Sequence, residues 1–240
     1  VHVYGHPVDM DALLGVAALN ELFVAEDAAE AHGAEVQGQR VGSWGDVGCF
    51  SFYANKVITT GEGGMLVTDR EDLADRARSL RNLAFGRPRF VHHDTGYNYR
   101  LTNVQAAIGC AQMERIDEVV SAKRALAAAY IERLRDVPGL RLPVERAWAR
   151  NVYWMFALVV EEEFGATRDD LTRALDDAGI ESRTMFCPMG LQPSLRGHLR
   201  EIPCPVATRL WQCGLYLPSD HRLTDGDLDR ICDVVRETRR

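Results

Sequence analysis

Two side chains in this sequence carry types and positions suited to carbonyl chemistry. Lys56 follows the strand-like text GCFSFYAN and precedes the polar, glycine-rich run TTGEGG, so its amine projects at a strand end beside backbone able to approach a ligand. Enclosure disfavours an ammonium, which turns such a lysine into a nucleophile toward carbonyl compounds. Asp27 ends the apolar run LFVAED, and ligand-facing groups in α/β sheets collect outside the carboxyl ends of strands. A carboxylate facing a protonated ring nitrogen, paired with an imine-forming lysine, is the combination that pyridoxal phosphate chemistry requires. Taken singly, each has a plainer reading: Lys56 as a surface lysine at a hairpin, Asp27 as a helix cap. Ser51, on the same predicted strand as the lysine, offers a hydroxyl to a phosphate oxygen, and Gly61, Gly63 and Gly64 permit close backbone approach. The usual phosphate cradle, a glycine turn opening a helix, is not visible.

The elements that position these residues follow from periodicity. VHVYG reads as a buried strand ending at Gly5, as though part of a domain preceded it, and Asp9 to Asn20 reads as a capped helix. Strands are expected over Leu22–Asp27, Gly48–Tyr53 and Met65–Thr68, then a helix over Glu71–Leu83. Thr102 to Arg135 fits one long helix or two in succession, ended by Val137-Pro-Gly. Beyond it, the apolar run Val152–Val160, a helix over Arg168–Ala178, the segment Ile180–Phe186, a Pro-rich loop and a helix over Thr224–Arg239 suggest a small α+β domain. The fold class is therefore α/β, a mostly parallel sheet with helices followed by that smaller domain.

Composition narrows the functional classes. The chain has 240 residues, 46% of them hydrophobic, with 28 Lys and Arg against 35 Asp and Glu, for a net charge of −7. Disordered and collagen-like states are excluded, and the acidic balance argues against nucleic acid as a partner. The longest apolar run, nine residues from Val152 to Val160, falls short of the roughly 20 needed to cross a bilayer. Six arginines between Arg76 and Arg100, opposed only by Asp94, are either a local anion attractor or a solvated face. The six cysteines form no C-x-x-C pair and no metal-ligand spacing with histidine, so they read as reduced, mostly packed thiols, with no metal expected. No secretory signal is visible in VHVYGHPVDMD, which points to the cytoplasm. The adjacent His92 and His93 leave an acid–base reading open.

Three blocks then carry a family resemblance: VAEDAAEAHGA (Val24 to Ala34), VGSWGDVGCFSFYANKVITTGEGGMLVTD (Val41 to Asp69) and GYNYRLTNVQAAIG (Gly96 to Gly109). In order and spacing the chain resembles the DegT-type nucleotide-sugar aminotransferases, which are fold-type I pyridoxal phosphate enzymes. Within that family, Asn55 to Gly64 and Gly96 to Gly109 are most similar to the GDP-perosamine synthase subfamily, which aminates C4 of GDP-4-keto-6-deoxymannose. Ala54 stands where that pattern has Gly, and RTMFCPMGLQPSL matches it loosely.

The resemblance implies a role for each matching residue. Lys56 corresponds to the lysine that bonds the cofactor, and Asp27 to the carboxylate that keeps the pyridinium protonated. Glu30 falls where many relatives have a Gln touching the ring hydroxyl, and Ser51 at a phosphate contact. Asn98 matches a phosphate contact made across a subunit boundary, which implies a homodimer with shared active sites. Arg100 and Arg183 are candidate substrate contacts. The implied reaction moves an amino group from glutamate to a nucleotide-linked keto-deoxysugar, and a lysine at position 56 separates this chemistry from related sugar dehydratases with histidine there. The resemblance also implies that residues 1–115 are the later part of a large cofactor domain and 116–240 the small domain. A further segment would supply the phosphate turn and a ring-stacking aromatic. On that expectation the isolated chain binds the cofactor poorly, and a catalytically inert homologue serving as a regulatory or scaffold subunit is the alternative.

Overall fold

A computed structural model describes residues 1–195, 197 and 203–240. In chain order the regular elements are α1 (Met10–Leu19), β1 (Ala25–Asp27), β2 (Glu35–Val36), β3 (Gln39–Arg40), β4 (Val47–Ser51), β5 (Gly64–Val67), α2 (Glu71–Arg81), α3 (Asn103–Met113) and α4 (Ile116–Leu134). They continue with β6 (Leu140–Arg141), β7 (Ala149–Arg150), β8 (Phe156–Val160), α5 (Arg168–Asp177), β9 (Arg183–Thr184), α6 (Pro205–Cys213), β10 (Gly214–Leu217) and α7 (Asp225–Thr238). The chain divides into two compact units, Val1–Ser121 with Glu145–Trp154, and Ala122–Val144 with Met155–Arg240. The Pro-rich stretch expected after Phe186 lies partly outside the described residues.

In the first unit β4 is the middle strand of three, parallel to β1 and antiparallel to β5. The parallel layer expected from the strand–helix–strand spacing is thus one pair deep here, and β5 returns against β4 through the loop that carries Lys56. Asp9 caps α1 by accepting the Ala12 N–H at 3.1 Å. A second small sheet, β3-β2-β7, joins Glu35 to Arg150 across 115 positions of sequence. The opening residues do not form the expected strand. Val3–Gly5 is a 3₁₀ turn with Tyr4 at φ 56° and Gly5 at φ 95°, and a Cβ on Gly5 would come within 2.8 Å of Val152 and 2.9 Å of the Trp154 nitrogen. Close backbone packing, with the Val152 N–H donating to the Gly5 carbonyl at 3.1 Å, overrides local strand preference.

The second unit is an antiparallel sheet in the order β6-β8-β10-β9, with α5 and α7. Every residue of β8 is buried, which explains its unbroken apolar text. Only the second half of the run Val152–Val160 is strand, because Tyr153 takes φ 47° and its N–H is drawn to Asn151 Oδ1 at 2.8 Å. Leu171 and Leu175 on α5, and Leu228, Ile231, Cys232 and Val235 on α7, fall at helical spacing and are all buried. Capping boxes at Thr102/Gln105, Thr167/Asp170 and Thr224/Asp227 start α3, α5 and α7. Of the cysteines only Cys232 is buried, while Cys49, Cys110 and Cys204 are exposed, so the expectation of packed thiols fails for most of them. No helix among the described residues is long and apolar enough to cross a membrane.

Candidate active site

The site grows from the carboxyl ends of β1 and β4, which parallel pairing places together with Asp27 opposite Cys49. Alternation along β1 sends its two acids to opposite faces. Glu26 is 3% exposed and accepts from the N–H groups of Trp44 (2.6 Å), Gly45 (2.8 Å) and Gly42 (2.7 Å). His2 completes the set at 3.1 Å; its Nδ1 accepts from the Val8 N–H, so Nε2 carries the proton donated to Glu26. Asp27 is exposed, and its Oδ1 accepts the Ala29 N–H at 3.1 Å, turning the chain out of the strand. Three residues on, the half-buried Glu30 carboxylate accepts the Tyr4 N–H at 2.7 Å.

Lys56 leaves β4 through a turn in which its N–H donates to the Tyr53 carbonyl at 3.0 Å. Its Nζ lies 4.0 Å from the centroid of the Trp154 ring, and the Trp154 Nε1–H donates to the neighbouring Asn55 carbonyl at 2.7 Å. Burial lowers the Lys56 pKa from the ordinary lysine value, against the opposing pull of the Glu30 and Asp27 charges. Burial likewise raises Glu30, outweighing the Tyr4 hydrogen bond and the lysine. His32 is driven down to about 4, first by burial and then by the Lys56 charge. Lys56, Glu30 and Asp27 therefore form one electrostatic group: a half-buried amine with a larger neutral fraction than free lysine, facing two carboxylates.

Helix α3 holds the lysine-bearing loop from one face. Gln112 brackets Thr59, accepting its N–H at 2.9 Å and donating to its carbonyl at 2.8 Å, and Gln105 donates to the Glu62 carbonyl at 3.0 Å. Gly63, at φ 145°, allows the loop to pass where a Cβ would meet Leu101 at 2.6 Å.

The remaining expected residues are less engaged. Ser51 is half-buried on β4 and accepts the Tyr53 N–H at 3.3 Å. Asn98 bridges to Asn82 and accepts weakly from Arg100 at 3.4 Å, both Asn98 and Arg100 being exposed. Arg183 belongs to the second unit, where it is exposed and paired with Glu181 at 2.6 Å. The arginine-rich segment is partly self-neutralised, Arg76 pairing with Asp94 and Arg78 with Asp75. His92 and His93 are exposed, and His92 donates Nδ1–H to the Leu83 carbonyl, so the acid–base reading gains no geometry. Glu26, Gln112 and Trp154 were not singled out by the sequence. The i, i+7 spacing of Gln105 and Gln112 was a usable local signal, whereas nothing local ties Trp154 to Lys56.

The chain as a whole is similar to known proteins in sequence and fold. The chain belongs to the DegT/DnrJ/EryC1/StrS aminotransferase family, whose profile matches residues 1–236. It is 43% identical over 234 residues to the GDP-perosamine synthase of Caulobacter vibrioides, covering 96% of this chain and 62% of that protein. It is 38% identical over 240 residues to the dTDP-3-amino-3,4,6-trideoxy-alpha-D-glucose transaminase of Streptomyces venezuelae, covering 99% and 62%. The aminotransferase TlmJ from Streptoalloteichus hindustanus superposes with a TM-score of 0.91 at 31% identity, covering 99% of this chain and 64% of that one. The chain thus spans somewhat less than two thirds of the length of these relatives.

Proposed function

We propose that this chain serves a pyridoxal phosphate-dependent transfer of an amino group, with glutamate as donor and a nucleotide-linked keto-deoxysugar as acceptor. The observation that carries the reading is the grouping of Lys56 with Asp27 and Glu30 at adjoining strand ends. GDP-4-keto-6-deoxymannose is the favoured acceptor, on the motifs Asn55 to Gly64 and Gly96 to Gly109 and on the 43% identity to the Caulobacter vibrioides GDP-perosamine synthase. Residues 1–115 are assigned to the later part of the cofactor domain and 116–240 to the small domain, apart from Glu145–Trp154, which packs in the first unit, in a cytoplasmic homodimer.

The donor set fits the cofactor. Asp27 presents an exposed carboxylate for a ring nitrogen, Glu30 a half-buried one for a ring hydroxyl, and Ser51 a hydroxyl for phosphate. When bound, pyridoxal phosphate supplies an aldehyde and an electron-withdrawing ring. Lys56 would hold the group through Nζ and, when free, would move a proton at the substrate's reacting carbon, a task suited to an amine whose pKa burial has lowered. Glu30 and Asp27 offset part of that lowering and keep the amine titratable. Asn98 is assigned to the phosphate of the neighbouring subunit, and Arg100 and Arg183 to the sugar nucleotide.

The test is product analysis on the gene product that contains this chain, given pyridoxal phosphate, glutamate and a panel of GDP-, dTDP- and UDP-linked keto-sugars. An amino sugar is expected, with GDP-4-keto-6-deoxymannose preferred. Lys56→Ala should abolish both the product and the visible absorbance band that cofactor addition produces. No amino sugar from any panel member would refute the reading.

A further inference from the structure

Lys56 needs a place to stay whenever it is not bonded to a carbonyl, and the first unit provides one. The indole of Trp154, itself 4% exposed, lies under Nζ at 4.0 Å from the ring centroid, within the range at which an aromatic face attracts an ammonium. The same indole is fixed by a second, directional contact. Its Nε1–H donates to the carbonyl of Asn55, the residue before the lysine, at 2.7 Å. The Tyr4 ring is stacked on the indole, with centroids 6.3 Å apart and planes 19° apart, and the Tyr4 backbone N–H is held by Glu30 at 2.7 Å. The Glu30 carboxylate thus holds the backbone of the residue whose ring stacks on the indole, and its charge favours the ammonium form of Lys56.

We infer that Trp154 is a positioning residue, a platform that holds the released ammonium of Lys56 in one place and ties the backbone before it. The inference deepens the aminotransferase reading by giving the freed lysine a defined station. It is carried by contacts of this chain alone, so it can be tested without cofactor or substrate.

The charged and titratable groups facing Lys56 are Glu30, Asp27 and His32, and none is altered by substitutions at position 154. The experiment uses the gene product that contains this chain, freed of pyridoxal phosphate, and reads Lys56 modification by formaldehyde with a mild reductant, through peptide mass spectrometry across pH 6 to 10. Only the neutral amine reacts. Removing the aromatic face while keeping an apolar surround raises the neutral fraction, so Trp154→Leu should speed modification roughly 2- to 30-fold at neutral pH. Trp154→Phe, which keeps a weaker aromatic face, should fall between Leu and the parent. The reverse order, with Leu slowest, would mean that the indole acts only by excluding water and would overturn the platform role, as would three identical profiles.

A second measurement does not depend on Trp154→Leu folding. Lys56→Met should change the tryptophan emission of the parent chain and leave that of a Trp154→Phe background unchanged. An equal change in both backgrounds would place the lysine away from the indole. Aminotransferase activity and these apo readouts can fail independently: a cofactor-free platform with no amino-sugar product would sink the functional reading and leave this one standing.

Discussion

Glu26→Ala tests the physical basis of the site without touching a residue that faces the ligand. The carboxylate accepts from three backbone N–H groups, those of Gly42, Trp44 and Gly45, and from the His2 imidazole, and its side chain and that of His2 are each 1% exposed. Stranding a buried donor costs about 1–3 kcal/mol, so four would sum to about 4–12 kcal/mol without relaxation. Water entry and loop movement recover most of the cost at the part-buried Trp44 and Gly45 N–H groups, so the two fully buried donors, Gly42 N–H and His2, set the expected loss at about 2–6 kcal/mol. Against a total of about 5–15 kcal/mol for a domain, that is a large fraction. Three of the four tryptophans (Trp44, Trp148, Trp154) lie in the first unit, so urea unfolding followed by their emission reports on it. With a slope of about 1–3 kcal/mol/M, the midpoint should fall by on the order of 1–3 M. The pH dependence has a definite sign. Burial pushes the Glu26 pKa up, but the His2 contact and the three backbone N–H groups outweigh it, so the folded value lies below the ordinary 4.5. A carboxylate with a lowered folded pKa stabilises above the unfolded value and loses that contribution as pH falls through the folded one. The gap between parent and Glu26→Ala should therefore be complete at pH 7 and narrow below about 4.5. A loss under about 1 kcal/mol, the worth of one ordinary hydrogen bond, or a gap unchanged between pH 7 and 3, would refute the account.

Two further substitutions probe other elements. Lys123 is 7% exposed, donates to the Ser219 carbonyl at 2.6 Å, and is lowered by burial from 10.5 to about 8, the Asp220 charge opposing the shift. Between those values the unfolded chain binds the extra proton, so this lysine makes stability rise with pH across that window, by about 3 kcal/mol in all. Lys123→Met should remove that rise from the parent-minus-variant difference in denaturation midpoints between pH 8 and 10.5; Cys232, raised by burial to about 11, contributes the opposite trend equally to both proteins. A difference flat with pH would show that the lysine is not titrating in this range. Gln112→Leu removes both bonds to Thr59 and should cost about 1–3 kcal/mol while raising amide hydrogen exchange at Thr59 through Gly64. Unchanged exchange there would separate α3 from the positioning of the lysine loop.

What the sequence made legible was local. The Thr102, Thr167 and Thr224 capping boxes are written within four residues each, and the buried stripes of α5 and α7 repeat at helical spacing. Asp27 was legible because it closes an apolar strand, and Lys56 because it follows one into a glycine-rich loop. The rest depends on partners far away in sequence. The two-residue strands β2, β3 and β7 have no periodicity of their own, and only the pairings Glu35 with Arg150 and Val36 with Ala149, over a hundred positions apart, join β2 to β7. The opening turn is dictated by packing of Gly5 against Val152 and Trp154, and α6 and β10 lie in text with no distinctive repeat.

Three acids within five residues, Glu26, Asp27 and Glu30, show how burial and donor supply divide one residue type into different tasks. Strand alternation requires that Glu26 and Asp27 face opposite ways, but it does not say which faces in. The four donors gathered by the Gly42–Gly45 loop and His2 settle it, because they stabilise a charge at the inner position and leave Glu26 no capacity for a ligand. Asp27, with one backbone N–H on Oδ1 and an exposed side chain, keeps its second oxygen for use. Glu30 lies between these limits: half-buried and with one donor, it is raised in pKa by burial while the Tyr4 hydrogen bond and the Lys56 charge oppose the rise. An exchange of Glu26 and Asp27 would put the shorter side chain in the donor pocket, out of reach of part of its set. It would also put the longer one at the strand end, so fold and site would fail together.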